Sequence, residues 1–176
     1  MPPKLSLLAL ILQCTISSLS SLIFRKLWDT YTGETLQTFP HEHMVRSADI
    51  SSSQKLIASG GQEKRVRVFE VERPKSFSDI GTHQGVVKSV VWNRNDLSDR
   101  TIVTSGDDQK LVWWDTRSPS PLTEYATKEM ITSLELSMDR QFITVTAGKS
   151  ILVFDAATYL PPPGLEQVLI DLGMLC

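Results

Sequence analysis

The chain has 176 residues, 41% of them hydrophobic and 22% charged, the balance of an ordinary globular domain. Eighteen basic residues against twenty acidic ones leave a formal charge of -2, which gives no electrostatic case for a nucleic-acid binder. The two cysteines, Cys14 and Cys176, lie near opposite ends and exclude a disulfide framework.

The amino end reads LSLLALILQCTISSLSSLIF over residues 5–24. A spanning helix needs about 20 mostly apolar residues. Here Gln13, Thr15, Ser17, Ser18, Ser20 and Ser21 dilute the run after Leu12, leaving a core of signal-like length. No spacer for cleavage separates it from the pattern beginning at Lys26. Residues 1–24 are therefore expected to be an atypical or mis-joined leader on a cytoplasmic, also nuclear, protein. A secretory signal is the alternative, and a membrane contact is expected only in that case.

From there the chain reads as short strands. Four dipeptides, Trp28-Asp29, Phe69-Glu70, Trp114-Asp115 and Phe154-Asp155, recur at intervals of 41, 45 and 40 residues. Each of the last three closes a run rich in β-branched and aromatic residues: Arg65–Phe69, Lys110–Trp114 and Ser150–Phe154. Before each comes a first strand (Met44–Ile50, Val86–Trp92, Met130–Leu136). A polar turn and a second strand (Leu56–Ser59, Ile102–Ser105, Phe142–Thr146) follow. An earlier partial unit over residues 24–39 turns at Thr32-Gly33. The last unit loses the pattern after Asp155, where Tyr159-Leu-Pro-Pro-Pro-Gly164 replaces a fourth strand, because consecutive prolines cannot pair in a ladder. Residues 165–172 are expected to form a short helix. The basic cluster Arg65, Arg67, Arg73 and Lys75 reads as a solvated strand edge.

A repeat of about 40–45 residues with a closing aromatic-acidic pair resembles the WD-repeat family. That resemblance implies an all-β fold, here a partial, open β-propeller of about three four-stranded antiparallel blades over residues 25–157, with a Pro-rich non-repeat tail over 158–176. It also implies a buried polar set in each blade: His83, Thr104, Asp108 and Trp114 in the middle one, and His41, Ser59, Glu63 and Phe69 in the one before. In the last blade, constant offsets give Thr127, Thr144, Gly148 and Phe154. His83, Thr104 and Asp108 imitate a catalytic triad, but the repeat assigns them to holding a turn. Trp113, on the opposite strand face from Trp114, either packs between blades or is exposed.

Three stretches are more distinctive than the repeat: Leu27–His43, Ile57–Lys75, and Gly85–Trp92 with Thr104–Asp115. They resemble a non-catalytic adaptor branch of the family. That branch implies receptor signalling and assembly of spliceosomal ribonucleoproteins in the survival-of-motor-neuron complex. Subunit i of translation initiation factor three shares part of these stretches and is the alternative. The partners implied are other proteins in a multi-protein complex, with self-association through open blade edges. By the family pattern, contact positions fall on Met44, Arg46 and Gln62, then Val86, Lys88 and Asp107, then Met130, Thr132 and Ala147. Met and Arg suit a protein interface.

Two other function classes compete. Direct RNA binding would need a basic patch interleaved with aromatics, which the chain lacks. Catalysis would need a phosphate loop, an activated nucleophile or paired carboxylates outside the repeat positions, and none stands there. His41 and His43 lack a third ligand at metal spacing, so neither a metal nor a cofactor is expected.

Overall fold

A computed structural model describes residues 15–16, 23–29, 31–95, 99–164 and 168–169. Every regular element among them is a β-strand, in four antiparallel sheets taken in chain order. The first sheet holds β1 (Thr15–Ile16), β2 (Ile23–Trp28) and β3 (Thr35–His41). It thus draws on Thr15–Ile16 and Ile23–Phe24 from the stretch read as a leader. The second holds β4 (Val45–Ile50), β5 (Leu56–Gly61), β6 (Arg65–Glu70) and β7 (Arg73–Thr82). The third holds β8 (Val87–Trp92), β9 (Thr101–Gly106), β10 (Lys110–Asp115) and β11 (Pro121–Ala126). The fourth holds β12 (Ile131–Leu136), β13 (Phe142–Ala147), β14 (Ser150–Asp155) and β15 (Val168–Leu169). Each sheet pairs its strands in sequential order, with no sheet closing on itself, which is the architecture of an open propeller.

Two expectations for the end of the chain are corrected. The fourth blade does have a fourth strand, displaced beyond the prolines, where Val168 pairs with Ile151 and Leu169 with Ser150. Val168 and Leu169 therefore belong to a strand and not to a helix; residues 165–167 and 170–172 lie outside the described residues. The prolines carry no N–H for the ladder, so pairing resumes only once the chain is past them.

The acidic member of the repeating dipeptide has a local task. Asp29 accepts the N–H groups of Tyr31 and Thr32 at 2.7 and 3.0 Å. Asp155 accepts those of Ala157 and Thr158, both at 2.8 Å, and Asp115 accepts that of Arg117 at 2.9 Å. The carboxylates fold the turns that leave β2, β14 and β10 respectively. Backbone donors hold Asp29 and Asp155 below the ordinary carboxylate range. The Arg117 guanidinium and N–H take Asp115 down to about 2. A depressed folded-state value stabilises fully above the unfolded value of about 4 and is lost as pH falls toward the folded one. These turns therefore weaken progressively as pH falls below about 4.

Sheets adhere through interleaved apolar faces. Leu27 and Phe39 pack on Ile57 and Phe69; Ala58, Val66 and Val68 pack on Val90, Trp92 and Trp114; Val103, Leu111 and Trp113 pack on Ile143, Leu152 and Phe154. Trp113 is fully buried, edge-on to Phe154 at 5.3 Å, so it is an inter-blade packing group and not an exposed contact. Gly81 is required by close approach: a Cβ there would lie 2.1 Å from the Trp114 ring.

Polar clasps reinforce these contacts. The Asp49 carboxylate on β4 accepts the Trp92 N–H on β8 at 2.8 Å, and the Trp92 indole donates to the Asp49 carbonyl at 3.0 Å. Arg94 reaches the same carboxylate. Asp99 receives Ser52 N–H and Ser53 N–H from the neighbouring blade at 2.9 and 3.0 Å. Asn93 donates to the Ala156 carbonyl at 2.6 Å, repeating the device one blade on. Burial pushes the Asp49 carboxyl above the ordinary range, against the pull of Trp92 N–H and Arg94. Its oxygens accept both the Trp92 N–H and the Arg94 guanidinium. Asp49→Ala is expected to lower stability by about 2 kcal/mol, by stranding the Trp92 N–H, whereas Asp49→Asn stays within about 1 kcal/mol of the parent. Urea unfolding of the two variants checks this; equal losses would contradict it.

Candidate functional site

The middle blade brings its four marked residues together. Trp114 Nε1 donates to Thr104 Oγ1 at 2.7 Å, and Thr104 Oγ1 lies 2.7 Å from His83 Nε2. His83 Nδ1 lies 3.0 Å from the nearer Asp108 oxygen. One assignment satisfies every group: the indole donates to the hydroxyl, the hydroxyl to Nε2, and Nδ1–H to the carboxylate. The strands dictate this convergence. Thr104 on β9 pairs with Val112 on β10, and Ile102 with Trp114, so Thr104 and Trp114 share a sheet face. Asp108 also accepts Gln84 N–H at 2.9 Å, which ties the loop carrying His83 to the hairpin. Burial opposes its ionisation, but Gln84 N–H and His83 hold it below the ordinary carboxylate range. Thr104 and the His83 side chain have no exposed surface, and the hydroxyl is already engaged on both sides. The resemblance to a triad therefore stops at residue type, since a nucleophile must reach its substrate.

The preceding blade keeps the geometry but not the chain of bonds. Ser59 and Phe69 occupy the registers of Thr104 and Trp114. Phe69 has no donor, and Ser59 Oγ is buried without a hydrogen-bond partner among the described residues. His41 packs edge-on to Phe69 at 5.1 Å and sits 4.0 Å from Glu63. Glu63 instead takes the Arg67 guanidinium at 2.6 Å, while accepting Glu42 and His43 N–H. Arg67 is buried, pairs with Asp79 at 2.9 Å and lies over the Phe77 ring. This corrects its reading as part of a solvated edge; Arg65, Arg73 and Lys75 are exposed.

In the last blade the constant offset fails. Phe154 pairs with Ile143, and Leu134 with Val145, so Val145, not Thr144, stands where Thr104 stands. The hairpin is one residue shorter, with only Gly148 and Lys149 between Ala147 and its partner Ser150. The carboxylate position is deleted rather than replaced by Gly148. Glu129 from the facing loop fills the gap: a Cβ on Gly148 would lie 1.2 Å from its carboxylate, which accepts Lys149 N–H at 3.2 Å. Thr127, at the His83 position, donates its hydroxyl to the Gln109 and Glu129 carbonyls. Sequence reasoning missed Glu129, Arg67 and the clasps at Asp49 and Asp99. A glycine opening a two-residue hairpin was the one signal of the deletion.

The contact positions sit above these networks. Gln62, Asp107 and Gly148 N–H donate to the carbonyls of Met44, Val86 and Met130 at 2.9, 2.9 and 3.3 Å, one zip per blade. Arg46 and Gln62 are exposed, Met130 is 51% exposed, and Met44 and Val86 are half-buried. Lys88 is paired with Asp107 at 3.2 Å, whereas Arg46 has no ion pair among the described residues. Thr132 bonds to Thr146, and Ala147 is buried, so neither offers a free side chain.

Four-stranded sheets in series, each closed by an aromatic-acidic dipeptide and one held by a His–Thr–Trp–Asp network, have the architecture of an open WD-repeat propeller. Residues 33–70 match the family model of the WD domain, G-beta repeat. The chain is similar to serine-threonine kinase receptor-associated protein. It is 34% identical over 137 residues to that of Dictyostelium discoideum, covering 77% of this chain and 46% of the relative. Against those of Gallus gallus and Homo sapiens it is 27% and 26% identical over 144 and 138 residues, covering 81% and 78% of this chain and 38% of each relative. The chain thus spans less than half the length of these relatives.

The network and its degraded counterpart separate cleanly by mutation. Thr104→Val strands the Trp114 indole and the His83 acceptor, and is expected to cost about 2–4 kcal/mol. Ser59→Ala removes a hydroxyl that has no partner and should cost under about 1 kcal/mol. Thermal or denaturant unfolding of both variants gives the comparison.

Proposed function

We propose that this chain is a protein-binding adaptor of the receptor-associated type, acting in receptor signalling and in spliceosomal ribonucleoprotein assembly within the survival-of-motor-neuron complex, in the cytoplasm and the nucleus. The observation that carries the reading is the division of labour in each blade. His83, Thr104, Asp108 and Trp114 are consumed in holding the hairpin to its loop. What the same end offers to a partner is a set of exposed side chains, Arg46 at the start of β4 with Gln62 and Met130 on loops, beside one pinning backbone bond per blade. A Met on a pinned loop and an Arg on a strand end suit protein recognition, because little ordering is required on binding. The similarity to serine-threonine kinase receptor-associated protein supports the receptor-associated part of this reading.

Arg46 is the cation available to an acidic partner segment, since Lys88 already faces Asp107. Arg46→Glu is expected to weaken capture of the reconstituted survival-of-motor-neuron complex at least about tenfold, more steeply at low salt, while Lys88→Ala changes it less. Surface plasmon resonance on the immobilised chain reads both. Binding by the parent that neither variant alters would remove this face from the account, and no binding by the parent would remove the assembly.

A further inference from the structure

The outer connection of the fourth blade is built unlike the others. Only residues 71–72 separate β6 from β7 and residues 116–120 separate β10 from β11, but residues 156–167 separate β14 from β15. Within it lies Leu160-Pro161-Pro162-Pro163. Each proline ring fixes its own φ near -65°, and each proline restricts the residue before it to extended or polyproline II geometry. Residues 160–162 are therefore confined by their successors, and 161–163 by their own rings.

The segment is bracketed and anchored. Tyr159 and Gly164 both have left-handed φ, +63° and +86°, so the chain swings out before the run and turns away after it. At the near end, Asp155 N–H donates to the Leu160 carbonyl and Tyr159 N–H to the Asp155 carbonyl, both at 2.9 Å. The Tyr159 ring lies 6.0 Å from Trp113, and its hydroxyl is 3.4 Å from Thr101 Oγ1. This seats the run against the boundary between the third and fourth blades.

Burial then follows the period of a polyproline II helix. Leu160 is 64% exposed and Pro163 is exposed, while Pro161 and Pro162 between them are half-buried. With three residues per turn and about 3.1 Å per residue, positions 160 and 163 fall on one ridge about 9 Å apart. The two middle prolines face the blade, and the outward ridge is Leu then Pro. No charged residue occurs from Ala156 to Gly164, so whatever reads this ridge does so through apolar contact.

We propose that Leu160–Pro163 is a preformed polyproline II ligand, presented to the aromatic-lined groove of a partner protein domain. The chemistry is that of proline-rich recognition: a helix fixed before binding loses little conformational freedom, and aromatic rings take an apolar ridge spaced at three residues. The site belongs to the connection leaving β14. It is remote in sequence from Arg46, and neither ridge residue takes part in the blade networks. It therefore stands or falls independently of the adaptor reading above.

The test titrates the full chain into isotope-labelled WW, SH3 and EVH1 domains, following the aromatic resonances of each groove by NMR. The expected result is a saturable shift with at least one domain. Leu160→Ser and Pro163→Ser each lower that affinity about tenfold, and Arg46→Glu leaves it unchanged. The combined tryptophan fluorescence, dominated by the buried Trp92, Trp113 and Trp114, reports whether each variant keeps its fold, and a free peptide spanning residues 159–164 should compete with the intact chain. No saturable shift with any of the three domains overturns the proposal. So does equal binding by the Leu160→Ser/Pro163→Ser double variant with its fold intact.

Discussion

A fully buried hydroxyl that must serve two neighbours sets the terms for this fold. Thr104 Oγ1 receives the Trp114 indole and faces His83 Nε2, both at 2.7 Å. An indole N–H or imidazole nitrogen left without a partner in that interior would cost about 1–3 kcal/mol. Through His83 the chain of bonds reaches Asp108, and through Asp108 the loop at Gln84. A single network thus joins the second strand, the third strand, the hairpin and the loop entering the blade. Its burial also leaves the Thr104 hydroxyl, in line with a histidine and a carboxylate, without an exposed face.

The neighbouring blades show what happens when one member of such a network changes. With Phe69 in place of the indole, the last donor vanishes, and the carboxylate of Glu63 turns to Arg67. With the hairpin shortened by one residue, the carboxylate position is lost, and Glu129 supplies the charge from the opposite loop. In both cases a carboxylate still accepts backbone N–H groups at the hairpin end of the blade. The requirement that persists is for an acceptor at that point, while the residue delivering it is free to move.

Much of this was legible in the sequence. Period-two runs placed the first three strands of each four-stranded unit, nine of the twelve, to within two residues, because alternating burial on a pleated sheet leaves a direct trace in residue type. The set at His83, Thr104, Asp108 and Trp114 was legible because each member is a residue type that a buried bond demands. Thr144 was misplaced because fixed offsets count residues, whereas strand register counts pairs, and a hairpin deletion alters only the first. Arg67, Asp49, Asp99 and Glu129 were illegible for a common reason. Their partners lie across a sheet or on the next blade, and isolated charges in sequence look solvated. The strand at Val168–Leu169 was hidden by the prolines before it, which break a ladder without forbidding its resumption.

The proposed use of this surface in binding rests on the division between a buried network and the exposed side chains above it. Its premise is the direction of the bonds at His83, and proton-detected nitrogen NMR of His83 and Trp114 tests that most directly. The account predicts His83 protonated on Nδ1 at neutral pH and a Trp114 indole N–H that exchanges with solvent far more slowly than a free indole. A His83 protonated on Nε2, or a Trp114 indole proton exchanging at the solvent-limited rate, would contradict it.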